Sequence, residues 1–192
     1  MSVIGFAVAG GQSLRMGCDK ALLPWGHTTL LDHTLDRLRA ACSEVRILSG
    51  AEPRYPDRGV PVEVDTLPEG GPLAGVCAGL ARAGELSGLF LALDLPFAPV
   101  SLLRHLAGLA LEFDAVVPVT ADGVHPLCAA YGPACLVPIR RRLEGGERKM
   151  TCFWPDVRVR EVGAGELSAF GEPEQMLRNV NTPEEYERLR AR

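Results

Sequence analysis

Two basic residues and one acid stand in settings that suit phosphate chemistry: Arg15, Lys20 and Asp94. Arg15 and Lys20 belong to the run Ala9-Gly10-Gly11-Gln12-Ser13-Leu14-Arg15-Met16-Gly17-Cys18-Asp19-Lys20, which starts where the apolar stretch 4–9 ends. A strand feeding a glycine-rich turn places backbone N–H groups at its carboxyl end, where open α/β sheets bind ligands. Gly10 and Gly11 carry no Cβ to keep a triphosphate off the backbone. Arg15 offers a planar fork to phosphate oxygens and Lys20 a point charge. A glycine turn with merely solvated charges accounts for Gly10 and Gly11, but less easily for Arg15, Gly17 and Lys20 as well.

Two common phosphate loops do not fit this run. A Walker A loop needs Gly-Lys-Ser/Thr, and here Gly17 is followed by Cys18-Asp19-Lys20. A dinucleotide fingerprint needs Gly-x-Gly-x-x-Gly, which Gly10-Gly11-Gln12-Ser13-Leu14-Arg15 does not give.

Asp94 follows the all-apolar run 89–93, so it is expected at the same sheet edge as the glycine turn. A hard carboxylate there suits Mg²⁺, which takes one or two carboxylates together with substrate phosphates. An aspartate capping the turn before Pro96 accounts for it equally well. Asp65, after the short extended piece 61–64, can accept hydrogen bonds from base N–H groups or ribose hydroxyls, or can sit solvated in a loop. The asparagines of Asn179-Val180-Asn181 can donate and accept, which suits either a heterocycle edge or a turn.

Alternating strands and helices must position these residues. Residues 4–9, 45–48, 61–64, 89–93 and 115–119 read as buried strands, and 29–42, 73–83 and 100–111 as helices. Further strands at 127–131 and 157–162 flank a helix at 133–143. Thr182-Pro183-Glu184-Glu185 reads as a helix start, with a threonine cap, proline in the first turn and carboxylates toward the positive dipole end. Strands apolar on both faces argue for an α/β fold with a mostly parallel sheet covered by helices. With no repeat or linker in evidence, residues 1–192 are expected to form a single domain.

A net charge of −4 argues against a broad nucleic-acid surface. No apolar stretch approaches the roughly 18 residues of a membrane helix, and the first residues lack the cationic region of a signal peptide. The six cysteines form no Cys-x-x-Cys pair and read as reduced small hydrophobes. A cytoplasmic protein is expected, binding neither nucleic acid nor membrane.

Gly-Gly-x-Ser-x-Arg-Met-Gly-x-Asp-Lys resembles the signature of Rossmann-like nucleotidyltransferases, and within them the MobA family of molybdenum cofactor guanylyltransferases. The Asp94-Leu95-Pro96-Phe97, Gly71-Pro72-Leu73-Ala74-Gly75, His125-Pro126-Leu127 and Asn179-Val180-Asn181-Thr182-Pro183 segments are similar to the same family. The resemblance implies a three-layer nucleotidyltransferase fold and transfer of GMP from GTP to the terminal phosphate of molybdopterin, with release of pyrophosphate. It implies catalytic roles for Arg15, Lys20 and Asp94, with Mg²⁺ on Asp94. It implies nucleotide contacts at Val8, Ala9, Gly10, Gly11, Lys20, Asp65, Gly71, Pro72, Leu73 and Asp94, and pterin contacts at Asn179 and Asn181. His125 near the second substrate, and Arg148 and Lys149 toward the pterin phosphate, are weaker assignments that structural roles match equally. GTP and molybdopterin are the implied substrates, and transient contact with other molybdenum-cofactor proteins is open. Two departures stand out: valine replaces the family's usual leucine at Val8, and Ser49 stands where relatives often carry a nucleotide-touching asparagine. The alternatives are a related nucleotidyltransferase, either a cytidylyl enzyme, against which the segment 71–75 argues, or a sugar-phosphate one, and a catalytically silent nucleotide-binding protein, against which Arg15, Lys20 and Asp94 weigh.

Overall fold

The computed structural model describes residues 3–10, 19–65, 67 and 70–190. In chain order, β1 (Val3–Val8) leads toward a one-turn 3₁₀ helix (Lys20–Leu22), followed by a short hairpin of β2 (Pro24–Trp25) and β3 (Thr28–Thr29) and by α1 (Leu30–Ala41). Next come β4 (Glu44–Leu48), β5 (Val62–Glu63), α2 (Gly71–Ala83), β6 (Ser87–Ala92) and α3 (Val100–Leu109). The remainder is β7 (Ala115–Thr120), β8 (Gly123–Val124), β9 (Cys128–Tyr131), α4 (Leu136–Glu144), β10 (Val159–Val162), α5 (Ala164–Leu167), α6 (Pro173–Met176) and α7 (Pro183–Arg190).

The main sheet runs β10-β7-β9-β6-β1-β4-β5, with β8 paired to β7. Strands β6, β1, β4 and β5 pair in parallel, as do β10 and β7, whereas β9 runs antiparallel between β6 and β7. The sheet is therefore mostly parallel, as its doubly apolar strands require.

Each strand alternates its side chains between two cores. Ala7, Leu89 and Leu91 face Leu31, Leu35, Leu38, Leu102 and Leu106 of α1 and α3. Phe6 and Phe90 face the other way, onto Leu73, Val76 and Leu80 of α2 and Ile139 of α4. Helices on both faces of one sheet give the three layers. Phe6 stacks on Phe90 with centroids 4.9 Å apart, and Tyr131 and Phe153 extend the aromatic column. A third cluster gathers Trp25, Leu30, Val180, Tyr186 and Leu189, and ties the hairpin to α7.

Expected and observed elements differ mainly at their ends. Thr29 caps α1 rather than joining it, its hydroxyl oxygen accepting the Asp32 N–H at 3.2 Å. Helix α2 begins at Gly71, with Pro72 in the first turn, where its missing N–H costs nothing. The expected helix at 133–143 divides into a 3₁₀ turn, Pro133–Cys135, and α4. The β2–β3 hairpin, β8, α5 and α6 were not expected, because pairs of two residues and one-turn helices carry no usable periodicity. Among the described cysteines all are free thiols and Cys77, Cys128 and Cys135 are buried, in keeping with their use as small hydrophobes.

The aromatic column sets the depth of the second core, so Phe90→Ala is expected to destabilise the protein by about 3–5 kcal/mol. Urea denaturation of the variant beside the parent measures this.

Candidate active site

Sheet register brings the candidate residues into one row. Val8 lies level with Ala92 on one side and Leu48 on the other, and Leu48 lies level with Glu63. Two residues further along each strand stand Gly10, Asp94, Gly50 and Asp65. All four thus leave the sheet at its carboxyl edge, the ligand-binding edge of open parallel sheets. Asp94 and Asp65 are separated by three strand spacings, about 14 Å, so one nucleotide can span both.

The middle of the row is a tight backbone crossing. A Cβ on Gly10 would fall 2.7 Å from the Gly50 nitrogen and 2.9 Å from its Cα. Glycine at position 10 is therefore demanded first by the packing of one loop on another, before any ligand arrives. Ala9 donates its N–H to the Leu48 carbonyl at 2.8 Å, and Asp65 donates to the Gly50 carbonyl at 2.8 Å. Gly11 and Arg15 lie outside the described residues.

Asp65 ends the row at β5. Its Oδ1 is buried and has no hydrogen-bond partner among the described residues. A Cβ on Gly75 would sit 3.5 Å from this Oδ1, an ordinary van der Waals distance, so the 71–75 segment packs beside the carboxylate. Burial pushes its carboxyl above the ordinary range. A buried acceptor left unpaired costs about 1–3 kcal/mol, and a ligand with N–H or O–H donors removes that cost. Leu73, by contrast, is fully buried in the second core, main chain included, so it supports the segment from behind rather than offering an open contact.

At the other end, Asp94 and Lys20 hold the two main-chain polar groups of one residue, Val180. The Val180 N–H donates to the Asp94 carbonyl at 2.8 Å, and the Lys20 ammonium donates to the Val180 carbonyl. Burial pushes the Lys20 amine below the lysine range, against the opposing charges of Asp94 and Glu185. Burial raises the Asp94 carboxyl, against the opposing charge of Lys20. His125, whose Nε2 lies 2.8 Å from the Thr120 hydroxyl, is itself pushed down by burial and so stays neutral at pH 7. The Asp94 loop is further fixed by α1, whose Arg37 donates to the Ala98 carbonyl and whose His33 Nε2 lies 2.8 Å from the Pro96 carbonyl.

Val180 is buried while Asn179 and Asn181 on either side are exposed. The cap of α7 belongs to Thr182, not to an asparagine. Its hydroxyl accepts the Glu185 N–H at 3.2 Å, and Glu185 returns the favour by accepting the Asn181 and Thr182 N–H groups at 2.9 and 3.3 Å. This capping box leaves both asparagine side chains to face outward. Arg148 donates to the Leu143 and Glu147 carbonyls at 2.9 and 3.0 Å, which places it at the end of α4, and Lys149 is exposed beside it.

Ser49 cannot replace the family's asparagine. It is buried, and its hydroxyl donates to the Glu52 carbonyl at 2.7 Å. The polar group at that place is Arg54, which donates to the carbonyls of Ala9 at 2.9 Å and Ser49 at 3.2 Å. No sequence pattern marks Arg54 or its neighbour Tyr55, because both act across the gap between two loops.

Among the described residues no group of three or more His, Cys, Asp or Glu side chains could by itself hold a metal ion. One carboxylate beside a lysine still fits a cation whose remaining ligands are phosphate oxygens and water.

A lysine and a carboxylate on the carboxyl edge of a parallel sheet, with an unpaired acid one nucleotide's length away, define a class of enzymes that handle nucleoside triphosphates. The sequence profile of the MobA-like NTP transferase domain matches residues 5–156, and the chain belongs to this family of nucleotidyltransferases. It is 33% identical over 182 residues to a probable molybdenum cofactor guanylyltransferase of Carboxydothermus hydrogenoformans, covering 95% of this chain and 92% of that one. Its fold is shared with molybdopterin-guanine dinucleotide biosynthesis protein A from Archaeoglobus fulgidus at a TM-score of 0.80 and 22% identity, covering 97% and 96% of the two chains. It is also shared with a Mycobacterium tuberculosis H37Rv protein solved in complex with manganese, at a TM-score of 0.68 and 21% identity, covering 100% and 99%. No helix of the described residues is long and apolar enough to cross a membrane.

The raised Asp94 carboxyl fixes the sign of a stability effect. Ionisation is harder in the folded state, so stability falls as pH rises through the raised value. Asp94→Asn, which mimics the neutral acid, should melt higher than the parent at pH 8, and the gap should close below the ordinary carboxylate range near pH 4. Melting curves of both proteins across that span test it.

Proposed function

We propose that this nucleotidyltransferase transfers GMP from GTP to the terminal phosphate of molybdopterin, forming the guanine dinucleotide cofactor and releasing pyrophosphate. The observation that carries the reading is the placement of Asp65 and Asp94 at two ends of one row, about 14 Å apart, with an orphaned acceptor at the Asp65 end. Guanine presents N1–H and N2–H donors that such a carboxylate can pair, and ribose hydroxyls offer the same. The names of the relatives, with the match of 71–75 to the guanylyl rather than the cytidylyl pattern, support GTP.

The acceptor is already a phosphate anion, so no covalent enzyme intermediate is needed. An acceptor oxygen bonds to the α-phosphorus as the bond to the pyrophosphate oxygen breaks, and the pyrophosphate leaves with that electron pair. Catalysis then consists of alignment and charge neutralisation. Lys20 stabilises charge on the triphosphate, Arg15 contacts its phosphates, and the backbone of Val8, Ala9, Gly10 and Gly11 lines the nucleotide. Gly71 and Pro72, exposed at the start of α2 and backed by the buried Leu73, approach the base. Asp94 would hold a divalent cation, Mg²⁺ on this reading, which supplies further positive charge at the α-phosphate. The manganese-bound structure of the same fold agrees with a divalent ion in such folds. Asn179 and Asn181, exposed on either side of Val180, whose N–H and carbonyl are bound by Asp94 and Lys20, present their amides to the pterin. The whole reaction fits within one domain spanning residues 1–192, acting in the cytoplasm.

Thermal denaturation with GTP, CTP or ATP and Mg²⁺ is the first test. GTP should raise Tm selectively, since a ligand of the native state stabilises by mass action; equal or larger shifts with CTP would overturn the guanylyl assignment. Asp65→Ala should weaken GTP binding about 10- to 100-fold, in line with about 1–3 kcal/mol for a buried hydrogen-bonding partner. In a pyrophosphate-release assay with GTP, Mg²⁺ and molybdopterin, Asp94→Ala should lose activity while remaining folded. Near-normal release by that variant would remove Asp94 from the mechanism.

A further inference from the structure

The 3₁₀ turn that carries Lys20 is held from outside the phosphate loop, by the dipeptide Arg54-Tyr55. Asp19 caps this turn, its Oδ1 accepting the Ala21 N–H at 3.1 Å. The same carboxylate receives the Tyr55 hydroxyl, 2.9 Å from Oδ1 and 2.8 Å from Oδ2. Arg54 Nη1 lies 3.7 Å from Asp19 Oδ2, while its Nη2 is bound to the carbonyls of Ala9 and Ser49. One guanidinium therefore joins the ends of β1 and β4 to the far end of the phosphate loop.

The backbone shows that this contact is imposed by the fold. Tyr55 is the single non-glycine residue with positive φ among the described residues, at φ 66° and ψ 44°. A residue with a Cβ persists in that region only where its surroundings over-determine it. Here the strained backbone turns the ring inward against the first core and delivers the hydroxyl to Asp19. Burial first, and then the hydrogen bond and charge of Asp19, push the phenol well above its ordinary range. The hydroxyl therefore remains a donor throughout the working pH range.

We infer that Tyr55, assisted by Arg54, is a positioning residue for Lys20, acting through the Asp19 carboxylate to hold the ammonium beside Asp94 and the Val180 carbonyl. The inference rests on the proposed role of Lys20 in GMP transfer, but its physical content is the placement of the amine.

The chain offers a direct reading of that placement. It contains only two lysines, Lys20 and Lys149, and Lys149 is exposed. The rate of acylation of Lys20 against pH, relative to Lys149 and read by peptide mass spectrometry, reports the burial of the Lys20 amine in the full-length protein. Tyr55→Phe keeps the ring and removes only the hydroxyl. It is expected to move the Lys20 profile toward that of Lys149 by several-fold in relative rate, to lower kcat for pyrophosphate release at least tenfold, and to leave KM for GTP within about threefold. Asp19→Asn should produce the same shift, and the double variant should add little to either, as expected for residues acting through one contact. A Tyr55→Phe protein that folds with an unchanged Lys20 profile overturns the inference. So does a double variant whose effects are additive. A shifted profile with undiminished kcat would uphold the brace and instead remove Lys20 from the transfer step, so the two failures can be told apart. Should Tyr55→Phe fail to fold, Arg54→Lys, which cannot span both carbonyls and Asp19, supplies the same readout, and an unchanged Lys20 profile there counts equally against it.

Discussion

The parallel register of β6, β1, β4 and β5 is the constraint on which the candidate site depends. Strand partners fix Val8, Ala92, Leu48 and Glu63 at one level, and everything chemically interesting begins two residues later. Because neighbouring strands pair through hydrogen-bond ladders, a slip of one residue would send each side chain to the opposite face. The alternation of Phe6 and Ala7, or of Phe90 and Leu91, between two cores therefore protects the register. Packing in the interior in this way determines where an acid at the sheet edge will stand.

Around that edge, stability and chemistry compete. Lys20 and Asp94 are both partly desolvated, and each is shifted toward its neutral form in spite of the other's charge. Asp65 keeps a buried oxygen without a partner among the described residues. These are groups whose best-satisfied state includes a ligand, since phosphate oxygens, a divalent cation and a donor-bearing base would each remove one of these costs. The surrounding structure compensates with rigid backbone contacts: the Gly10–Gly50 crossing, the capping box of α7, and the grip of α1 on the carbonyls after Asp94. Preorganisation of this kind is what a phosphoryl-type transfer, with little covalent chemistry of its own, most requires.

The C-terminal segment belongs to the site as much as the phosphate loop does. Trp25 from the hairpin packs edge-on to Phe97 at 5.5 Å and tilted against Tyr186 at 6.2 Å, while the Tyr186 hydroxyl donates to the Pro24 carbonyl. That small third core presses Val180 inward, toward the Lys20 ammonium and the Asp94 carbonyl. The sheet edge alone would present a nucleotide-binding face. α7 and its preceding turn add a wall beside Lys20 and Asp94 at that edge.

Much of this was legible in the amino-acid sequence, because local rules govern it. Doubly apolar strands, the threonine-proline start of α7, and the placement of Asp65 and Asp94 just past apolar runs all follow from short-range pattern and turn chemistry. The motifs, through their resemblance to a family, extended that reading to a reaction. Other features were decided only by tertiary structure. That Gly10 is glycine because of Gly50, that Arg54 joins Ala9 to Asp19, and that Tyr55 reaches Asp19 are relations between residues 35 to 45 positions apart. They cannot be read locally, since nothing near Tyr55 in sequence announces a left-handed backbone or a carboxylate partner. The sequence determined which groups carry charge and on which elements they ride; the packing of loops across the sheet edge decided which of them are desolvated, which are braced and which are left waiting for a ligand.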